Sequence, residues 1–212
     1  MPGISLDLVQ TVAIGAFNPH IVRPDWMIRQ KLCKAEEFGG VEFLPTGDDE
    51  DEVFRFGRQE WQVDYTRLSV SVRKPGSPAV DDTGLAVAGV IRLLPHTPVH
   101  TVGHNFHFSC TTTEWGGKPL PQLGPNVGPA LDGREPTQTS WSGTYERGDG
   151  VWTEVTADVS RTHDIVVLLF NHDRAVEPED HETALHAAGR LSEDWAFTVR
   201  LLNDLFRIEW AS

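Results

Sequence analysis

The chain has 212 residues, of which 39% are hydrophobic, so it is long enough for one folded domain with a substantial core. Its formal charge is −13 at neutral pH, and it has no run of lysine or arginine. Because nucleic-acid phosphates attract positive surfaces, this balance argues against nucleic acid as a partner. It favours a soluble protein whose partner, if charged, is basic.

Cysteines and apolar segments bear on where the protein resides. Cys33 and Cys110 are the only cysteines. Two thiols so far apart form neither a disulfide framework nor a zinc motif, so both are expected to be reduced and buried. Residues 1–7 lack the basic and apolar regions of a signal peptide, and no apolar run reaches the ~18 residues of a membrane span. We expect a cytoplasmic protein that does not contact the membrane.

The first 110 residues alternate between strand-like and helix-like patterns. The predicted elements, in order, are a strand at 6–17, a helix from Pro24 to Gly39-Gly40, strands at 53–56 and 60–72, a helix at 84–94 and a strand at 99–110. Within 60–72 the alternation slips near Thr66-Arg67, which suggests a bulge. The order β-α-β-β-α-β predicts a ferredoxin-like first half with both helices on one face of the sheet.

The remaining residues divide into a loop, three strands and a helix. Residues 111–142 are rich in glycine and proline without periodicity, which predicts a long loop that packs or interacts through Trp115, Leu120 and Trp141. Strands are predicted at 143–147, 151–159 and 164–170, and a long C-terminal helix at 178–208, broken at Gly189. We therefore predict one α+β domain over residues 1–212. The strands of residues 1–110 form the first half of its antiparallel sheet. After the loop at 111–142, the strands of residues 143–212 extend this sheet, and the C-terminal helix covers the sheet.

The strand at 99–110 contains three histidines. With a period of two, His100 and His104 share one face with Phe106, Phe108 and Cys110, while His107 takes the other face. Four residues along a strand span roughly 13 Å, too far for His100 and His104 to bind one metal ion. We expect a central strand of the sheet, in which Gly103 leaves room for a neighbouring group. No metal ligand or cofactor site is assigned.

Catalytic motifs are absent from the sequence. There is no Gly-x-Ser-x-Gly elbow, no phosphate-binding loop and no His-Glu-x-x-His pattern. His172-Asp173 follows an apolar strand, where polar turn residues are ordinary, and His181 and His186 lie about 140° apart on a helix. No catalytic residue is therefore assigned, and an enzyme is disfavoured.

Two segments resemble a sporadically distributed, functionally uncharacterised family of bacterial proteins. Residues 61–72, Trp-Gln-Val-Asp-Tyr-Thr-Arg-Leu-Ser-Val-Ser-Val, resemble that family's tryptophan-containing strand. Residues 101–106, Thr-Val-Gly-His-Asn-Phe, take the place of a strand that reads roughly Arg-Ile-Gly-Leu-Arg-Tyr in that family. The chain departs from the family's pattern here, because His or Asn replaces the arginine and Phe replaces the tyrosine. The resemblance implies a strand and short helix at the start and a long helix at the end, and it implies no activity.

Three functions are compatible with these patterns. The first is a non-enzymatic protein-binding module, such as a subunit of a bacterial assembly or an antitoxin-like or immunity-like neutraliser. The second is a small-ligand-binding protein with a cavity between sheet and helix, lined by His100, His104, Phe106 and Trp195. The third is a metal-dependent enzyme that uses His104 or His172. The sequence does not determine the oligomeric state.

Overall fold

The structure is a computed structural model that describes residues 3–32, 41–43, 52–75, 80–116, 118 and 138–210. Its strands are β1 Ser5–Gly15, β2 Glu42–Phe43, β3 Glu52–Phe56, β4 Gln59–Val63, β5 Arg67–Arg73, β6 Val99–Cys110, β7 Gln138–Arg147, β8 Val151–Ser160 and β9 Ile165–Ala175. Its helices are α1 Pro24–Arg29, α2 Val80–Leu93, α3 Thr112–Trp115, α4 His181–Ala188 and α5 Leu191–Phe206.

The described strands form one antiparallel sheet. Their order is β2-β3-β4-β5-β1-β6-β9-β8-β7, and each neighbouring pair runs antiparallel. Strand β6 has the predicted bounds and lies in the middle of the sheet between β1 and β9. The predicted α+β class, with an antiparallel sheet and a long C-terminal helix, is confirmed.

The ferredoxin-like first half is not confirmed. The predicted strand at 60–72 is two strands, β4 and β5, and the slip in its pattern marks a turn rather than a bulge. Asp64 makes that turn, because its Oδ1 accepts the backbone N–H of Thr66 at 2.7 Å. The described part of residues 1–110 therefore contributes six strands, β1–β6, where the ferredoxin-like pattern has four.

The helices pack on one face of the sheet, which we call the inner face. Helices α1, α2 and α4 cover β1 and β3–β5 through a cluster that includes Met27, Phe54 and Ile91. Helices α3 and α5 cover β6–β9 through a second cluster centred on Phe206, whose ring contacts Trp115, Trp141 and Phe170. Burying this apolar surface is the main stabilisation of the sheet–helix layer.

Several boundaries differ from the predictions. The predicted C-terminal helix is two helices that break after Ala188, in agreement with the break expected at Gly189. Helix α1 ends at Arg29, and the predicted end at Gly39-Gly40 lies outside the described residues. Strand β9 continues past Phe170 to Ala175, so that His172 lies within the strand rather than after it. In the described part of the chain, no helix combines the length and hydrophobicity needed to cross a bilayer.

Candidate functional site

Strand β6 presents alternate residues to the two faces of the sheet, as its sequence predicts. Val102, His104, Phe106 and Phe108 are fully buried on the inner face, while the outward residues Asn105, His107 and Ser109 are partly exposed. His100 belongs to the inner set by parity, yet it is exposed because it lies near the start of the strand. His100 and His104 are therefore in different environments.

Asp194 of α5 is the centre of a buried ionic cluster on the inner face. Its Oδ2 accepts the Nδ1–H of His104 at 2.6 Å and Nη1 of Arg174 at 2.6 Å. Its Oδ1 accepts Nη2 of Arg174 at 2.5 Å and Nη1 of Arg147 at 2.7 Å. We call these four residues the Asp194 cluster. Strands β6, β7 and β9 each contribute one member, so the cluster joins the helix to three strands.

The charge distribution explains why Asp194 is ionised despite its complete burial. Burial alone raises the pKa of the Asp194 carboxyl, but the hydrogen bonds from His104 and Arg174 outweigh it and hold that pKa well below its ordinary value. Two guanidinium groups face this one carboxylate. A second carboxylate, Asp149 in the β7–β8 turn, lies 3.1 Å from Arg147 at the solvent-facing end of the cluster.

His172 lies beside His104 on the neighbouring strand and is fully buried. Its Nδ1 is 2.9 Å from the hydroxyl of Thr153, and its Nε2 is 2.7 Å from the hydroxyl of Thr198 on α5. Burial lowers the pKa of His172 to about 4, and Arg147 and Arg174 act in the same direction. The ring is therefore neutral at pH 7 and is held by two hydroxyl groups.

The inner-face groups are enclosed in packed protein. The side chains of His104 and Asp194 are fully buried, and Arg174 is only 6% exposed. Both nitrogens of His172 are engaged with threonine hydroxyls. Among the described residues, no group of three or more histidine, cysteine, aspartate and glutamate side chains is placed to hold a metal ion. These contacts fit a structural role, in which α5 is held in one register on the sheet.

The residues predicted to line a ligand cavity are brought together in part. The rings of Phe106 and Trp195 lie 5.4 Å apart between centroids, and Trp195 also stacks on Phe108 at 6.0 Å. His104 is hydrogen-bonded to Asp194, the residue that precedes Trp195 in α5, whereas His100 is exposed at the end of the strand. At this position the aromatic rings pack against one another.

The tryptophans of the predicted interaction loop lie in the core. Trp115 of α3 is 4% exposed and Trp141 of β7 is 8% exposed, and both rings contact Phe206. Leu120 lies outside the described residues. Of the cysteines, Cys110 is buried and free, and burial raises its pKa to about 11, while Cys33 lies outside the described residues.

The opposite side of the sheet, the outer face, has a different chemistry. The outward residues of β6–β9 include the carboxylates of Asp173, Glu154, Asp158 and Glu146 and, in these described strands, neither lysine nor arginine. The arginines of β7 and β9, Arg147 and Arg174, point inward to Asp194. The outer face of these strands is therefore acidic.

A shallow groove of about 250 Å³ lies at the centre of this outer face. It is lined by Asn105, His107, Glu154, Thr156, Leu169, Phe170 and Asn171. Next to it, Asp173 pairs across the strands with Gly103 on one side and with Trp152, whose side chain is 51% exposed, on the other. An exposed indole beside carboxylates is a surface that attracts cations.

Asp173 is held in one position on this face. A Cβ atom at Gly103 would lie 2.4 Å from its Oδ1, so the carboxylate occupies the space that a side chain there would need. Its Oδ2 accepts Nδ2 of Asn171 at 2.9 Å. Burial raises the pKa of Asp173, and the nearby Glu154 raises it further. In the described part of the chain, no lysine or arginine forms an ion pair with either carboxylate.

Sequence reasoning missed Asp194, Arg147 and Arg174. Asp194 falls among the apolar positions of a helical stripe, and a carboxylate at such a position is a signal for a buried ion pair. The two arginines occupy the same inward face of their strands as apolar residues do. An arginine at such a position likewise signals a buried ion pair. Trp152 was also missed as a surface group. Its outward position follows from the alternation of β8.

The chain was compared with known proteins. No family model and no curated protein sequence matches it. The family resemblance of residues 61–72 and 101–106 accordingly stays a prediction.

Proposed function

We propose that the protein is a non-enzymatic protein-binding module that docks a basic partner on the outer face of β6–β9. One observation carries the proposal: this face has four carboxylates, no lysine or arginine among its described outward residues, and an exposed tryptophan. The helices of the described chain pack on the other face, so they do not occupy this surface.

Complementary charge supports a basic partner over a neutral one. The chain carries a net charge of −13, and like-charge partners would be repelled on approach. Trp152 adds an apolar surface of the kind that is enriched at the centre of protein interfaces. A subunit of a bacterial assembly, or a neutraliser of a basic toxin, would use such a face.

A capture experiment with charge-reversed variants tests this proposal. The intact protein is immobilised, exposed to a lysate of its own host, and the retained proteins are identified by mass spectrometry. The variant Glu154→Lys alters the outer face at an exposed position, and Asp204→Lys makes the same change at an exposed position of α5. We expect the wild type and Asp204→Lys to retain the same basic protein, and Glu154→Lys not to retain it.

Direct contact requires a second measurement. A photoreactive amino acid placed at Thr144, an exposed outward residue of β7, should crosslink the captured protein, whereas the same group at Asp204 should not. The proposal fails if retention is the same for both charge reversals, or if the crosslink forms only from α5. Thermal melts of all variants should agree with the wild type, since each changed side chain is exposed.

A further inference from the structure

We propose that the outer face recognises an arginine side chain of the partner, whose guanidinium stacks on Trp152 and pairs with Asp173 and Glu154. This inference rests on the proposed function and specifies how the same face selects its partner. The geometry that points to it is the row Gly103–Asp173–Trp152, which runs across three adjacent strands, with Glu154 in the row beside it.

The indole provides the flat surface that a guanidinium prefers. Trp152 and Asp173 are directly opposite each other on β8 and β9, so their Cβ atoms are about 5 Å apart. A planar guanidinium can therefore lie on the exposed indole and extend its N–H groups to the carboxylate in the same plane. The compact ammonium of lysine does not combine the two contacts as well.

The carboxylate is pre-positioned for this contact. Gly103 lets Asp173 lie against the strand, and Asn171 binds its Oδ2, while its Oδ1 accepts no hydrogen bond from the described residues. Burial raises the pKa of Asp173, and the neighbouring carboxylate of Glu154 adds to that rise. A bound guanidinium supplies a positive charge beside both carboxylates.

The groove has room for the rest of the segment. It extends from Glu154 over Thr156 and Leu169 to His107, across the three adjacent strands β8, β9 and β6. Asn105 donates its Nδ2 to Gln10 Oε1 at 3.0 Å, which leaves its own oxygen as an acceptor for a backbone N–H. An extended peptide beside the arginine would lie in this groove.

Calorimetric titration with short peptides tests the inference. The probes are a peptide of alternating arginine and serine, its lysine counterpart, and a counterpart with citrulline, which has the shape of arginine without the charge. Each is titrated into the intact protein at about 0.15 M salt, where diffuse attraction between exposed charges is largely screened. We expect the arginine peptide to bind several-fold more tightly than the lysine peptide and the citrulline peptide not to bind.

Three variants decide whether the contact is local. Asp173→Asn keeps the shape of the side chain, Trp152→Ala removes the indole, and Asp158→Asn removes the same charge from another outward position of β8. We expect the first two to weaken arginine-peptide binding about tenfold or more, and Asp158→Asn to weaken it less than about twofold. Should Asp173→Asn not fold, Glu154→Gln at an exposed position takes its place.

The outcomes separate this inference from the proposed function. Equal weakening by Asp173→Asn and Asp158→Asn, equal binding of the lysine peptide, or absence of arginine-peptide binding each overturns the arginine site. The proposed function survives those results if a basic protein is still lost from Glu154→Lys in the capture experiment. It fails on its own if capture is insensitive to that reversal.

Discussion

Neutralising Asp194 is the most informative perturbation of the fold. In Asp194→Asn the side chain keeps its shape but loses its charge, and one of its oxygens becomes an amide donor that faces the donors of Arg174 and Arg147. Asp194 is fully buried, and Arg174 is nearly so. The variant therefore leaves a guanidinium inside the protein without its counter-ion.

The magnitude follows from the four hydrogen bonds that Asp194 accepts. Removing one partner of a buried ion pair costs about 3–5 kcal/mol, because the remaining charge stays desolvated. Arg147 reduces this cost, since its side chain is 14% exposed and retains its pair with Asp149. We expect the free energy of unfolding to fall by about 3–4 kcal/mol.

Urea denaturation followed by tryptophan fluorescence measures this change. The control is Asp204→Asn on the same helix, whose exposed carboxylate should matter by less than about 0.5 kcal/mol. Adding Arg174→Met to Asp194→Asn removes the unpaired charge, and we expect it to restore part of the lost stability. A loss below about 1 kcal/mol in Asp194→Asn would refute the view that this cluster anchors α5 to the sheet.

Three further predictions concern other residues. Because the pKa of His172 is about 4 in the folded protein and about 6.5 in the unfolded chain, only the unfolded chain binds that proton between these values. Stability should therefore fall by about 3 kcal/mol as the pH drops from 7 to 4, and His172→Gln should flatten this part of the pH dependence in urea melts. Gly103→Ala should displace the Asp173 carboxylate, lower the melting temperature and weaken arginine-peptide binding. The control Gly148→Ala, in a turn with open space at the Cβ position, should have none of these effects. In a Cys33→Ser background, Cys110 should react with a thiol reagent at pH 8 only as fast as the protein unfolds, and rapid labelling in the folded state would contradict its buried, protonated state.

Much of the fold follows from local patterns. The period of two in β6 predicts which residues are buried, and Val102, Phe106 and Phe108 lie on the inner face accordingly. The apolar stripe of the C-terminal segment predicts a helix that covers the sheet, and Gly189 marks its break. These features depend on residues a few positions apart, so the sequence contains the information directly.

The turn at Asp64 shows where local reasoning failed. A slip in alternation is produced both by a bulge and by a tight hairpin, and the pattern of residues 60–72 does not separate the two. The side-chain bond from Asp64 to the backbone of Thr66 selects the hairpin. That single turn divides the predicted strand at 60–72 into β4 and β5, which pair with each other.

The sequence by itself determined the α+β class, the acidic charge, the alternation of β6 and the space at Gly103. Only the tertiary structure decided that His104 meets Asp194, 90 positions along the chain, and that Asp173 fills the space at Gly103. The reason is physical: a histidine on a buried strand face needs a partner, but the partner is set by how strands and helices stack. The outer face likewise exists only once β6, β9, β8 and β7 are adjacent, because its carboxylates and Trp152 come from separate strands.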